Sequence, residues 1–243
     1  MTWFFGKKDD DRPSKKEIQQ IQADKLFIVE ESPSNIVDIS KIYLNEIPSS
    51  ILSNIKYQHK ECLLLNNNEF KDLKGDMKLL EDLQRLDLSY NLFRTVPKSI
   101  SVLRGLTNLN LDNNQLTMLP ATLAALSNIE VLTARNNQIT AIAPEMGCLS
   151  KLTTLNLSGN QLTRLPDNFA HCISLTYLEV DLDKWEYPTA DVIQKGGRET
   201  VIWLCKENNV DTRFVSSDTT SSPSTTMSEY DEECKRVSQR LAS

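Results

Sequence analysis

Histidine is nearly absent from this chain: His59 and His171 are the only two in 243 residues. A Ser-His-Asp or Cys-His site needs an imidazole beside its nucleophile, and both histidines fall at boundaries between the recurring units described below. Glycine is scarce too, at seven. Lys195-Gly196-Gly197 lacks the strand–loop–helix setting and the Gly-Lys-Ser/Thr ending of a phosphate loop, so two glycines breaking or entering a helix is the plain reading. The five cysteines, Cys62, Cys148, Cys172, Cys205 and Cys234, are scattered, and no pair has metal-ligand spacing. No apolar run reaches signal or membrane length, because Lys7, Lys8 and Asp9 to Asp11 follow Trp3, Phe4 and Phe5 at once. A net charge of −6 argues against a grip on nucleic acid built by neutralising phosphates. These absences predict a reduced, soluble, cytoplasmic monomer that is no enzyme and holds neither cofactor nor metal.

What is present is a period. From Leu83 the same skeleton recurs at Leu106, Ile129, Leu152 and Leu175, each 23 residues after the last. In the unit from Leu106, leucines stand at 109, 111, 116, 119, 123 and 126, with Asn114 eight residues in. Leu-x-x-Leu-x-Leu-x-x-Asn at this period is the signature of a leucine-rich repeat solenoid. The predicted fold class is therefore α/β, with a curved parallel sheet on the concave side and helical caps at both ends. In Leu109-Asn110-Leu111 apolar and polar residues alternate, which predicts a short strand with leucines inward. The asparagine then ends the strand, its amide supplying both donor and acceptor to the turning backbone. Asn68, Asn91, Asn114, Asn137 and Asn160 are expected to form a ladder, with Asp183 in the same slot of the last unit. An extended return with a short helical turn follows, marked by Pro97, Pro120 and Pro166.

The flanks divide the chain. Residues 1–13 read as a flexible start. Residues 14–33 read as a capping helix, begun by a capping box in Ser14-Lys15-Lys16-Glu17, with Ile18, Ile21 and Leu26 on its apolar face. Residues 34–188 hold the repeats, the first irregular and longer, as terminal repeats are. Trp185 falls in a leucine slot and reads as a core-sealing aromatic. Residues 189–212 predict a closing helix, with Val201, Ile202, Leu204 and Cys205 at helical spacing. Residues 213–243 read as a disordered Ser/Thr-rich tail, with helical character returning from Ser228 to Leu241.

Three flanking stretches carry a resemblance: Phe4-Phe5-Gly6-Lys7-Lys8, Asp38-Ile39-Ser40-Lys41 through Glu46-Ile47-Pro48, and Leu204-Cys205-Lys206-Glu207. Together with the repeats they resemble the amino-terminal part of the leucine-rich-repeat and sterile-alpha-motif ubiquitin ligase family, over residues 1–212. The resemblance implies the recognition half of such a protein. It does not imply ligase activity, because the paired cysteines of a RING are missing from these 243 residues.

The outward strand positions form columns on the predicted concave face. Arg85 and Asp87 come first, then Asn108, Asn110 and Asp112, then Thr133 and Arg135, then Thr154 and Asn156, then Tyr177 and Glu179. Extended concave surfaces are what solenoids use for binding, so these residues are the expected contact site for a protein partner. The alternative is a membrane-peripheral protein attached through the amino-terminal helix.

Overall fold

The computed structural model describes residues 12–32, 34–50, 52, 59–210 and 225–241. Residues 1–11 of the expected flexible start (1–13) and residues 213–224 of the expected Ser/Thr-rich tail (213–243) lie outside these residues. The repeats form a seven-stranded parallel sheet. Its strands are β1 (Ile36–Asp38), β2 (Cys62–Leu64), β3 (Arg85–Asp87), β4 (Asn108–Asn110), β6 (Val131–Thr133), β8 (Thr154–Asn156) and β9 (Tyr177–Glu179). They pair in that order. From β2 onward each residue pairs with the one 23 positions later, as in Arg85 with Asn108 and Asn108 with Val131. Ile36 pairs with Cys62, which makes the first repeat three residues longer. The middle residue of every strand, Val37, Leu63, Leu86, Leu109, Leu132, Leu155 and Leu178, is buried, because a pleated strand points alternate side chains to opposite faces.

The return path is 3-10 helical. Five such turns, Met77–Leu80, Lys98–Val102, Ala121–Ala125, Pro144–Cys148 and Asp167–His171, stack along the convex side. Between them β5 (Met118–Leu119) and β7 (Ala141–Ile142) pair as a second, two-stranded parallel sheet. Phe70, Phe93 and Phe169 fill the core between the two sides.

The asparagines run as a ladder. Asn114 Oδ1 accepts from Phe93 N–H of the preceding unit at 3.2 Å, and its Nδ2 donates to the carbonyls of Leu88, Leu111 and Asp112. Asn91, Asn137 and Asn160 repeat the pattern. Asn68 extends it into the first repeat, accepting from Ile42 and Leu44 N–H. Asp183 is exposed and stands outside this arrangement. Asp181 caps a different pair of amides: its Oδ2 accepts from Gly159 N–H at 2.6 Å and Asn160 N–H at 2.9 Å. A preceding unit meets the same need with a backbone carbonyl, as in Asn136 N–H to Ser158 O. Among the described residues no strand pairs beyond β9, and there a side chain supplies the acceptor. The residue before each ladder asparagine has positive φ: Asn67, Tyr90, Asn113, Asn136 and Gly159. This left-handed region suits asparagine and glycine and costs tyrosine more.

The two ends are covered by different means. Helix α1 (Lys15–Glu30) opens with the expected capping box, Ser14 accepting from Glu17 N–H while Glu17 accepts from Ser14 N–H. It buries no residue fully. Leu26 and Val29 pack on the core edge, Gln22 donates to Ile42 O, and Lys25 pairs with Asp38 at 3.0 Å. Ile21, expected on the inner face, is 38% exposed, because the contact face is centred on Gln22, Leu26 and Val29. After β9, α2 (Ala190–Ile193) and α3 (Gly197–Glu207) close the other end. Gly197, Thr200, Val201, Leu204 and Cys205 are buried in α3; a Cβ on Gly197 would sit 3.0 Å from Thr176 carbonyl carbon, so glycine permits the close seat. Trp185 is half-buried against the core and donates its indole N–H to Pro188 O.

Helical character, expected from Ser228, runs as α4 (Thr225–Leu241). This helix lies against the convex turns 121–125 and 144–148. Cys234 of α4 is joined to Cys148 in a disulfide, which corrects the reading of five unpaired thiols. Two cysteines 86 residues apart, one of them outside the repeats, give no spacing signal.

Candidate partner-binding face

The register turns outward residues into continuous rows. One row runs Ile36, Cys62, Arg85, Asn108, Val131, Thr154, Tyr177, and the next Asp38, Leu64, Asp87, Asn110, Thr133, Asn156, Glu179. Arg85, Arg135 and Tyr177 are exposed, and Asn108, Val131, Thr133 and Thr154 are half-buried between them. The sheet thus brings the sequence-predicted residues onto one face.

The second row has an internal task. Asp38, Asp87, Asn110 and Asn156 each accept, through Oδ1, from the N–H two residues on: Ser40, Ser89, Asp112 and Ser158, at 2.9–3.1 Å. These are Asx turns that bend the chain out of the strand. Asn110 Oδ1 also accepts from Thr133 Oγ1 of the next repeat at 3.1 Å. Asn110 is among the expected partner contacts; the same side chain holds the turn. Asn156 is buried and donates to Glu179 Oε2 at 2.6 Å.

Charge on the face is partly consumed in the same way. Asp112 accepts from Arg135 N–H at 2.7 Å. Burial pushes its carboxyl above the usual range, and the bonds from Arg135 and Thr133 offset this only in part. Tyr177 is 49% exposed, and donation to Glu179 at 2.5 Å raises its phenol above the ordinary value. At β2, burial likewise raises the Cys62 thiol, with Arg85 beside it acting in the opposite sense. The groups that remain outward are therefore two guanidinium groups, a tyrosine ring and a margin of half-buried amides and hydroxyls. Lys25, Asp38 and Ile36 extend the face to the first strand. The longer first repeat hides Ile36 and Asp38 by breaking the 23-residue count, and Lys25 lies in α1, outside the repeats.

Elsewhere, His59 bonds Asp82 at 2.7 Å on an exposed edge, and His171 lies on the convex side. Among the described residues, three or more His, Cys, Asp or Glu side chains nowhere converge as a metal site. No described helix is long and apolar enough to cross a membrane.

A model of the Leucine rich repeat family matches residues 61–116 and 127–183. In three dimensions the chain is similar to the leucine-rich repeat domain of the type III effector XopL, at 19% identity and a TM-score of 0.53, covering 73% of this chain and 76% of that one. It also matches a leucine-rich repeat protein of Leptospira interrogans, at 22% identity and TM-score 0.40, over 72% of this chain and 61% of the other. A third match is the TLR13 chain of a complex with ssRNA13, at 24% identity and TM-score 0.49, over 60% of this chain. The present chain spans 21% of that protein. No curated protein matches in sequence. The matched family model, the 23-residue register and the asparagine ladder agree on a leucine-rich repeat fold for the sheet-forming part of the chain.

Proposed function

We propose that this chain is an intracellular adaptor or scaffold that binds a protein partner across its concave sheet. The observation that carries the reading is the outward row in which Arg85, Val131, Thr154 and Tyr177 lie on neighbouring strands of one continuous sheet, with Arg135 exposed beside it. Leucine-rich repeat domains generally mediate protein–protein interaction. Seven strands at about 4.8 Å spacing span roughly 30 Å, the reach of a protein surface or an extended segment. The Asx turns and asparagine ladder fix this surface in advance, so binding costs little ordering. Tyrosine and arginine are also the residue types that most often dominate interface energetics. The resemblance of the flanks to the ubiquitin ligase family supports a recognition role in ubiquitin-linked or trafficking pathways.

Affinity capture with the intact chain beside an Arg85→Glu, Arg135→Glu double variant tests the reading. Specific partners should be lost from the variant while its thermal melt is unchanged. Retention of every partner through these and further concave substitutions would remove the face from consideration.

One observation favours a second reading, attachment to a membrane surface. Helix α1 leaves Phe27 67% and Ile28 63% exposed, and apolar side chains on an amphipathic helix can enter a lipid interface. Co-sedimentation with anionic liposomes, abolished by Phe27→Ser with Ile28→Ser, would support it. Failure of the intact chain to pellet would end it.

A further inference from the structure

We propose that Cys148 and Cys234 form a thiol–disulfide switch that locks helix α4 across the convex face and releases it on reduction. The first ground is the contrast among the five cysteines. Cys62, Cys172 and Cys205 are buried free thiols. Cys172 donates toward Met146 O, and burial pushes its thiol up to about 12, which keeps it protonated and inert. Cys205 donates to Ala170 O. Cys148 and Cys234 are only half-buried. A cavity of about 430 Å³ reaches both of them, lined also by Arg104, Ser127, Lys235 and Gln239, so a small reductant has a route to the bond.

The second ground is the unequal footing of the two partners. Cys148 ends a turn whose backbone is wedged in place: a Cβ on Gly147 would lie 2.2 Å from Asn168 O. Cys234 sits on a helix whose described side chains are mostly exposed. Among the side chains described in α4, Val237 alone is fully buried, with Cys234 and Leu241 half-buried on the same helical face. Two of its ion pairs, Lys235–Glu232 and Arg236–Glu233, are internal to the helix and add nothing to docking. Helix α3, by contrast, buries five residues. Docking and disulfide formation are therefore linked, since the seated helix raises the local thiol concentration and the bond keeps the helix seated.

The reaction balances with a dithiol as the reductant. Its thiolate attacks one sulfur of the pair, the Cys148–Cys234 bond breaks, and the other cysteine leaves as thiolate and takes a proton. The second thiol of the reductant then resolves the mixed disulfide, forming its own disulfide. Two electrons and two protons pass to the protein's cysteines. The convex turns 121–125 and 144–148 are uncovered, while the concave sheet is untouched.

Hydrogen exchange on the full chain, air-oxidised and after addition of dithiothreitol, tests this. Reduction should speed exchange in 225–241 at least tenfold and also expose 121–125, with β3 to β9 unchanged. Cys234→Ser and, independently, Cys148→Ser should show the fast pattern with or without reductant, and a melt confirms that each is folded. Unchanged protection of 225–241 on reduction would overturn the proposal, because the helix would then be held without the bond. So would loosening of the whole sheet, which would make the disulfide a general staple, or thiol labelling that finds Cys148 and Cys234 free in the oxidised chain.

Discussion

The two ends of the solenoid are both covered by a helix, yet α1 and α3 are attached by different physics. Helix α3 presses Val201, Leu204 and Cys205 into the last repeat until none of them exceeds 1% exposure. Helix α1 buries nothing fully and is held by Gln22, the Lys25–Asp38 pair and the half-buried Leu26 and Val29. Apolar burial scales with area and is hard to undo locally, whereas partly exposed polar contacts are weak and screened. The concave face thus has one end continuous with the core and one end closed by a separable clip.

Truncation at matched positions should expose the difference. Leu204→Ala opens a cavity in a dry seat and should cost about 2–5 kcal/mol, whereas Leu26→Ala should cost less than about 1 kcal/mol, since its side chain is only partly withdrawn from water. Urea denaturation of the two variants measures both. Equal costs would dissolve the distinction between the caps.

Within the repeats the same logic separates two asparagines four residues apart. Asn114→Ala strands the buried Phe93 N–H and takes one of two donors from each of three carbonyls, and should cost about 1–3 kcal/mol. Asn110→Ala removes one Asx bond and one threonine contact near the surface, where water can substitute, and should cost about 0.5–1.5 kcal/mol. Thermal melts of both variants rank them, and a reversed order would contradict the burial argument.

These two residues also mark where the sequence was readable. The period made the strands, the core leucines and the ladder legible, because the same chemistry recurs at the same offset and each occurrence corroborates the others. Asn110 was harder: an outward asparagine can serve a partner, its own turn or both, and the turn role shows only in the 3.0 Å bond from Asp112 N–H. Asp181 was not singled out, because it caps Gly159 and Asn160 N–H, a task that an internal unit gives to a backbone carbonyl and that leaves no side-chain pattern. The small β5–β7 sheet left no pattern beyond the turn prolines. The docking of α4 includes a long-range cysteine pair that no spacing announces, although Cys234, Val237 and Leu241 at helical spacing were a visible hint. One signal went unread: Asn67, Asn113, Asn136 and Gly159 share a slot that favours left-handed backbone, and Tyr90 breaks the series. Tyr90→Asn should therefore stabilise the chain by up to about 1 kcal/mol, read as a rise in Tm.

The smallest effect belongs to the clip itself. Burial acts to raise the Asp38 carboxyl, but the bonds from Ser40 and the charge of Lys25 outweigh it and bring the group below its ordinary value of 3.8. A carboxylate depressed on folding contributes stability above its unfolded value and loses it as pH falls through the lower folded value. The pair is partly exposed, so the contribution should be about 0.2–1 kcal/mol. Exchange of α1 amides should thus quicken below pH 4 relative to the intrinsic rate, and Lys25→Ala should shrink that dependence. A flat ratio across this range would show that the pair does not hold the helix.

Native-state hydrogen exchange in rising sub-denaturing urea tests the account most directly, because it reports the opening free energy of each element in one intact molecule. The amides of β3 to β9 and of α3 are predicted to converge on one common opening, with α1 exchanging well below it through a local opening that barely depends on urea. If α1 shared the common opening, or if α3 came away before the sheet, the picture of a rigid binding face sealed at one end and clipped at the other would be contradicted.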